Sequence, residues 1–266
     1  MWELLLLPLM GLSIGTAAAM TGIGGGAFIV PLLTLFYAFT PPNAVGTSLT
    51  TIIFTAIAST ISYSRQKRIY YRTGLILATA TVPGAFLGAY LTSVIPPRTL
   101  GLFFGVFLVI VALRMIITVN AHSKNSKNRK GKPDQLGHSE KELFELKKKL
   151  LLGVALSFFG GVTSGLLGIG GGVLLVPIMT LAMDMAIHTA VATSMFTMIF
   201  TSISGVAQHY MLGNIRFEYV LPIALGTIIG AQLGAYTSKR LSSKNLRRIF
   251  GLMLIVVSIQ MTLKYI

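Results

Sequence analysis

The pentapeptide Gly22-Ile23-Gly24-Gly25-Gly26 returns as Gly168-Ile169-Gly170-Gly171-Gly172, and each copy is followed at the same distance by a proline, Pro31 or Pro177. The offset of 146 residues holds without a gap from Gly22–Thr118 to Gly168–Lys264, with about 34 of 97 aligned pairs identical. That is too many for a shared composition, so the chain is a duplicated unit. A glycine-broken apolar stretch at matching positions of two halves is, in a membrane protein, the strongest sequence pointer to a substrate site.

The chain does read as a membrane protein. Hydrophobic residues make up 53% of it, charged residues 11%, and the mean hydropathy is +0.77. Several apolar runs of about 20 residues match the ~30 Å hydrocarbon core as helices. The alternating pattern of a membrane barrel is absent, so the expected fold is all-α. The net charge of +15 sits in a few loops, with nine of the 22 Lys and Arg between Lys124 and Lys149. Basic loops in an apolar chain follow the positive-inside rule and meet anionic lipid headgroups, so the partners are the lipid bilayer and no nucleic acid. There is no cysteine, which excludes disulfide and iron–sulfur chemistry. Met1-Trp2-Glu3 lacks the positive start of a signal peptide, and the first segment is read as retained.

Apolar stretches run Leu4–Met20, Ala27–Thr40, Thr47–Ser64, Gly74–Ile95 and Thr99–Val119, then again Leu150–Leu167, Val173–Ala186, Thr193–Met211, Tyr219–Thr237 and Leu246–Tyr265. The division is a first transmembrane repeat at 1–119, a basic cytoplasmic linker at 120–149 and a second repeat at 150–266. Ser123–Gly137 reads as a disordered linker, and the Ser-x-x-Glu box at Ser139–Glu142 opens a short amphipathic helix.

Loop charges set the orientation. In the first half Arg65, Lys67, Arg68 and Arg72 precede a loop that holds only Arg98; in the second half Arg216 comes first and Lys239, Arg240, Lys244, Arg247 and Arg248 follow. Homologous halves with reversed charge asymmetry are expected to insert upside down relative to each other. Inversion requires an odd number of crossings per half. Three helices therefore span, and the pair around the glycines enters and leaves by one face. Ala27–Thr40 would be ~21 Å long as a helix, too short to span comfortably. That leaves a hairpin that is either re-entrant or a full span with a short return. Each half then has a glycine-broken hairpin plus three spanning helices, about 8–10 transmembrane segments in the chain, with both termini outside.

Gly22–Ala27 also matches G-x-G-x-x-A, but the dinucleotide fingerprint needs a βαβ unit that is absent, so no cofactor is expected. In a membrane helix, consecutive glycines free backbone N–H groups, and the helix restarting after them presents its positive end. The candidate anion ligands are Gly24, Gly25, Gly26 and Ala27 with Gly170, Gly171, Gly172 and Val173. The bland alternative is that these glycines only pack or hinge helices. The repeated Ala44-Val45-Gly46-Thr47-Ser48 and Ala190-Val191-Ala192-Thr193-Ser194 add hydroxyls of Thr47, Ser48, Thr193 and Ser194, as ligands or as helix caps. Thr51, Thr55, Thr197 and Thr201 follow at i+4 steps, with interhelical bonding as their plainer role. Gly84/Gly88 and Gly230/Gly234 read as packing faces, within one chain or in a homo-oligomer. Gln208 and Gln232, matched by Ser62 and Phe86, break the symmetry between halves; interhelical bonding is again their plainer role. Asp184, His188 and His209 lie near segment ends. No repeated buried carboxylate marks a cation or proton site, and hydroxyls with helix N-termini suit an anion.

Gly-Ile-Gly-Gly-Gly, a short apolar run, Pro and then Ala-Val-x-Thr-Ser, present in each half, resemble the TauE/SafE sulfite exporter family of membrane permeases. The resemblance covers nearly the whole chain apart from the linker. It implies a permease for small anions, typically sulfite, sulfoacetate, toluenesulfonate or related sulfur compounds, in a bacterial or archaeal cytoplasmic membrane. The expectation is a secondary transporter working by alternating access around a central site, and no enzyme. A passive anion channel and a membrane scaffold stand as alternatives.

Overall fold

The computed structural model describes residues 2–107, 109–110 and 140–238, together with 255, 259 and 263. Among them the helices are α1 (Trp2–Thr21), α2 (Gly26–Phe36), α3 (Pro41–Arg65), α4 (Tyr71–Val94) and α5 (97–107 and 109–110). They continue with α6 (Glu140–Leu167), α7 (Gly172–Ala182), α8 (Ile187–Met211) and α9 (Phe217–Thr237). No strand occurs among the described residues. By length and composition, α3, α4, α8, α9 and the Lys149–Leu167 part of α6 are long and apolar enough to cross a membrane.

Elements 146 positions apart correspond: α3 starts at Pro41 and α8 at Ile187, α4 at Tyr71 and α9 at Phe217. Packing crosses between the halves. α1 lies on α9, α6 lies on α4, and α3 and α8 form the central pair. The crossed contacts rest on glycines, because only a missing Cβ lets two backbones meet. Gly84 abuts Phe158 and Val162, and Gly88 abuts Val162 and Leu166; the same register places Gly230 against Leu12 and Thr16, and Gly234 against Thr16. The two Gly-x-x-x-Gly faces are thus used within the chain.

These contacts also fix direction. Gly46 near the start of α3 meets His209 in the last turn of α8 and Asn214 in the turn after it, and Gly205 meets Leu49, so α3 and α8 run antiparallel. α9 runs with α3, since Arg216 N–H reaches Thr47 at one end and Gln66 Nε2 donates to the Ala235 carbonyl at the other. α4 runs with α8, since Gly74 lies on Phe196 and Ser204 donates to the Val82 carbonyl. The bundle therefore has two ends. The α3–α4 turn with Lys67 and Arg68, the start of α6 and the α7–α8 turn with Asp184 lie at one, where Lys149 Nζ and Asp184 pair at 2.9 Å. The α2–α3 and α8–α9 turns lie at the other.

α1 and α2 form an unequal hairpin, about 30 Å and 16 Å long at 1.5 Å per residue. The outer faces of α4 and α9 expose Leu75, Phe86, Leu87, Leu225, Ile229 and Leu233, a surface for lipid contact. Gln232 is among these exposed positions, whereas Gln208 is buried.

Two expectations change. The helix opened by the capping box is not a separate short element: α6 runs unbroken from Glu140 to Leu167, about 42 Å, because no glycine or proline intervenes before Gly153. The stretch expected over Val173–Ala186 stays helical only to Ala182, with a π-wound turn over Ile178–Ala182 directly after Pro177. Most of Leu246–Tyr265, the part of Thr99–Val119 after residue 110, and the segment 111–139 lie outside the described residues, although 255, 259 and 263 are helical.

Candidate functional site

The two glycine breaks meet. Ser194 donates to the Gly22 carbonyl at 3.2 Å and Ser48 donates to the Gly168 carbonyl at 2.8 Å, each reaching into the other half. Opposite these carbonyls stand Gly172 and Gly26. A Cβ on Gly26 would collide with the Gly168 carbonyl, and one on Gly172 with the Gly22 carbonyl. The fifth glycine of the motif is thus demanded by close approach. The fourth is demanded by backbone: Gly25 and Gly171 are left-handed, at φ 89° and 82°, and act as N-caps of α2 and α7. All of Gly22–Ala27 and Gly168–Val173 is buried.

Neither N-terminus is closed by a side chain. Phe28 and Ile29 N–H return to the Gly25 carbonyl, and Leu174 and Leu175 N–H to that of Gly171. The amides ahead of them, on Gly26, Ala27, Gly172 and Val173, have no protein acceptor among the described residues. Two positive helix ends therefore converge at the centre of the bundle with amides to spare. Between them lies Met198 of α8, against Gly24, Gly170 and Gly172; its counterpart in α3, Ile52, also touches Gly170. Met is flexible enough to fill an irregular centre and to leave it.

Thr47 and Thr193 take a role the sequence did not reveal. They do not cap their own helices. Thr47 Oγ1 accepts from Arg216 N–H and Thr193 Oγ1 from Tyr70 N–H, both at 3.1 Å, so each hydroxyl receives the N-cap residue of a helix in the other half. Thr51, Thr55, Thr197 and Thr201 each bond back to the carbonyl four residues earlier. Among the described residues, two of these four also bond between helices: Thr197 donates to the Gly74 carbonyl, and Thr201 meets the Thr81 hydroxyl at 2.7 Å.

Two further positions were missed. Ser164, whose hydroxyl is buried without a partner, sits beside Gly171, where the first half has Ala18 beside Gly25. Tyr63 and His209, also 146 residues apart, both bond a carbonyl in the last turn of a preceding helix, Ala19 in α1 and Gly165 in α6. An identity count passes over these pairs because Ser and Ala, or Tyr and His, score as mismatches. No group of three or more His, Asp or Glu that could hold a metal occurs among the described residues.

Residues 7–261 match the family described as sulfite exporter TauE/SafE. The chain is 33% identical over 263 residues to a probable membrane transporter protein, YunE, of Bacillus subtilis, covering 96% of each chain. It is 29% identical to the probable membrane transporter protein MJ0441 of Methanocaldococcus jannaschii, over 98% of this chain and 97% of that one. A probable membrane transporter protein of Xylella fastidiosa is 28% identical over 92% of this chain and 90% of its own length. No solved structure matches.

Proposed function

The chain belongs to the TauE/SafE sulfite exporter family, a family of membrane transporters, and from that premise we propose that it is a secondary transporter of small sulfur-containing or organic anions. The observation that carries this reading is the pair of uncapped helix N-termini meeting at the buried centre. An oxyanion placed there accepts from the amides of Gly26 and Ala27 on one side and of Gly172 and Val173 on the other, and meets no fixed carboxylate. Gly24, Gly25, Gly170 and Gly171 shape the backbone that exposes those amides. Ser48 and Ser194 hold the two breaks in register, and Thr47 and Thr193 tie each wall to the opposite half. Met198 is the side chain that must withdraw for the anion to enter.

The halves act as an inverted repeat in this reading. The antiparallel α3 and α8 and the exchange of matched contacts support it. With the basic α3–α4 turn and the start of α6 facing the cytoplasm, the chain starts outside, and alternating access is a rocking of one crossed unit against the other. The burial of both glycine breaks fits an occluded intermediate of such a cycle.

The test is flux into proteoliposomes with labelled sulfite, thiosulfate, arenesulfonate and a carboxylate as comparator. Saturable exchange of a sulfur oxyanion or sulfonate is expected. No flux by folded protein would defeat the reading, and unitary currents would make the protein a channel.

A further inference from the structure

Two hydroxyls beside the second glycine break have nothing to bond. Ser164, in the last turn of α6, and Ser202, in α8, are both fully buried, and neither Oγ has a hydrogen-bond partner among the described residues. A serine or threonine inside a helix commonly returns its hydroxyl to the carbonyl four residues back. Thr163, Thr197 and Thr201 do so. Ser164 and Ser202 leave the carbonyls of Gly160 and Met198 alone, so their hydroxyls are turned away from their own helices. A buried hydroxyl left unpaired is a standing cost to the fold, and it is offset when a ligand supplies the missing partner.

Both belong to the wall that carries the free amides of α7. A Cβ on Gly171, the N-cap of that helix, would lie 3.5 Å from the Cβ of Ser164. On α8, Met198, Ser202, Gly205 and His209 are spaced i, i+4, i+7 and i+11, which is one face of a helix. Met198 at one end of this row meets Gly170 and Gly172, while Gly205 and His209 at the other meet Gly165. Ser202 is therefore placed against the stretch from Gly165 to Gly172, the same stretch that Ser164 enters from α6. In the first half the positions 146 residues earlier are Ala18 and Ala56, equally buried. Two alanines fill the matched space there, so packing alone does not call for the oxygens. Ser59, also buried and unpaired, stands where α8 has Gly205, a turn further along the row from its break.

We propose that Ser164 and Ser202 are specificity-determining residues of the anion site: their O–H groups join the amides of Gly172 and Val173 as donors to the oxyanion, and the charged head is held on the second wall. Ala18 and Ala56 leave the first wall with its amides alone. The two walls are alike in backbone and unlike in what they offer a ligand. The proposal rests on the transport reading above and assigns the charge to one of its two walls.

Two measurements on the full chain decide it, with whichever of sulfite, thiosulfate and benzenesulfonate shows the largest saturable wild-type flux as the probe. In proteoliposomes, Ser164→Ala and Ser202→Ala should each raise the KM for that anion about tenfold, as expected for a lost hydrogen bond to a charged group. Maximal flux should change by about twofold at most. Ser59→Ala, which removes an equally buried and unpaired hydroxyl away from the break, should leave KM within about twofold. The second measurement is thermal unfolding of purified protein. Without ligand, S164A and S202A should unfold at or above the wild-type temperature, because alanine removes an unpaired buried group. With the probe anion, the rise in unfolding temperature should be smaller in both than in the wild type. An unchanged KM in both variants overturns the proposal, and so does a loss of ligand-free stability in both, since it would show that the hydroxyls are already bonded within the protein. Absence of wild-type flux with all three anions would defeat the transport reading and this assignment together, whereas wild-type flux with unaltered variants defeats the assignment alone.

Discussion

The two halves agree at their centre and differ at their ends. At the glycine breaks, Gly26 against Gly168 is repeated as Gly172 against Gly22, and Ser48 on Gly168 as Ser194 on Gly22. At the ends, Tyr63 with Arg68 faces His209 with Asn214 across the same symmetry. Between these lies a zone of partial agreement, with Ser164 for Ala18 and Met198 for Ile52. Symmetry is retained where two backbones must touch and relaxed where a side chain can be exchanged without moving a helix. What both walls do together is thus separated from what each end does alone.

The comparison can be broken most directly at the fifth glycine. Gly26→Ala and Gly172→Ala each drive a methyl into a carbonyl of the opposite break, and each should cost about 3 kcal/mol or more, because backbone must shift to relieve it. Similar losses of folded yield and thermal stability are expected for both; a tolerated alanine at either position would contradict the matched centre. Next come Gly25→Ala and Gly171→Ala, at about 1–2 kcal/mol each for a left-handed residue with a Cβ, read as paired shifts in unfolding temperature.

Ser48→Ala and Ser194→Ala sharpen the comparison. Each should cost about 1 kcal/mol, with Ser48 the larger, because its bond is 2.8 Å and Ser194 divides its proton between Gly22 at 3.2 Å and Val191 at 2.9 Å. Equal losses would mean that the small asymmetry in geometry has no energetic content. Met198→Ala should act mainly on transport: opening the centre is expected to raise the substrate KM several-fold or to admit a larger sulfonate, with Ile52→Ala the weaker of the pair. The smallest effect is expected for Gln232→Leu on the exposed face of α9, within about 0.5 kcal/mol and with flux unchanged.

Much of this could be read in the chain before any coordinates. The 146-residue offset carries the correspondence of α3 with α8 and of α4 with α9, and consecutive glycines marked the helix breaks because glycine takes the left-handed turns of Gly25 and Gly171 without the strain of a Cβ. Gly84 and Gly230 were legible as packing faces. Their partners were not, since spacing along one helix does not say which helix enters its groove. The same limit hid Thr47 and Thr193: a hydroxyl near a helix start looks like a cap for that helix, and its acceptance of Arg216 or Tyr70 N–H depends on a helix brought alongside by the crossing. The capping box at Ser139 was read with the wrong length, because a start signal carries no information on where the helix stops. His209 was seen as a residue near a segment end, but its burial follows from Gly46 and the final turn of α6, neither of which is near it in sequence.

The crossing of α1 onto α9 and of α6 onto α4 has a consequence for how such a chain is made and how it arose. When the ribosome has finished the first half, α1 has no groove to enter, because the glycines that receive it, Gly226, Gly230 and Gly234, have not yet been synthesised. Neither half completes its own packing, since α1 is seated mainly on α9 of the other half. A single-copy ancestor would have needed a second molecule to supply the missing grooves, inserted the other way up if the halves are inverted as proposed. Joining two such copies would turn an encounter between two chains into an obligation within one, and would leave each half free to change only where its twin does not touch it.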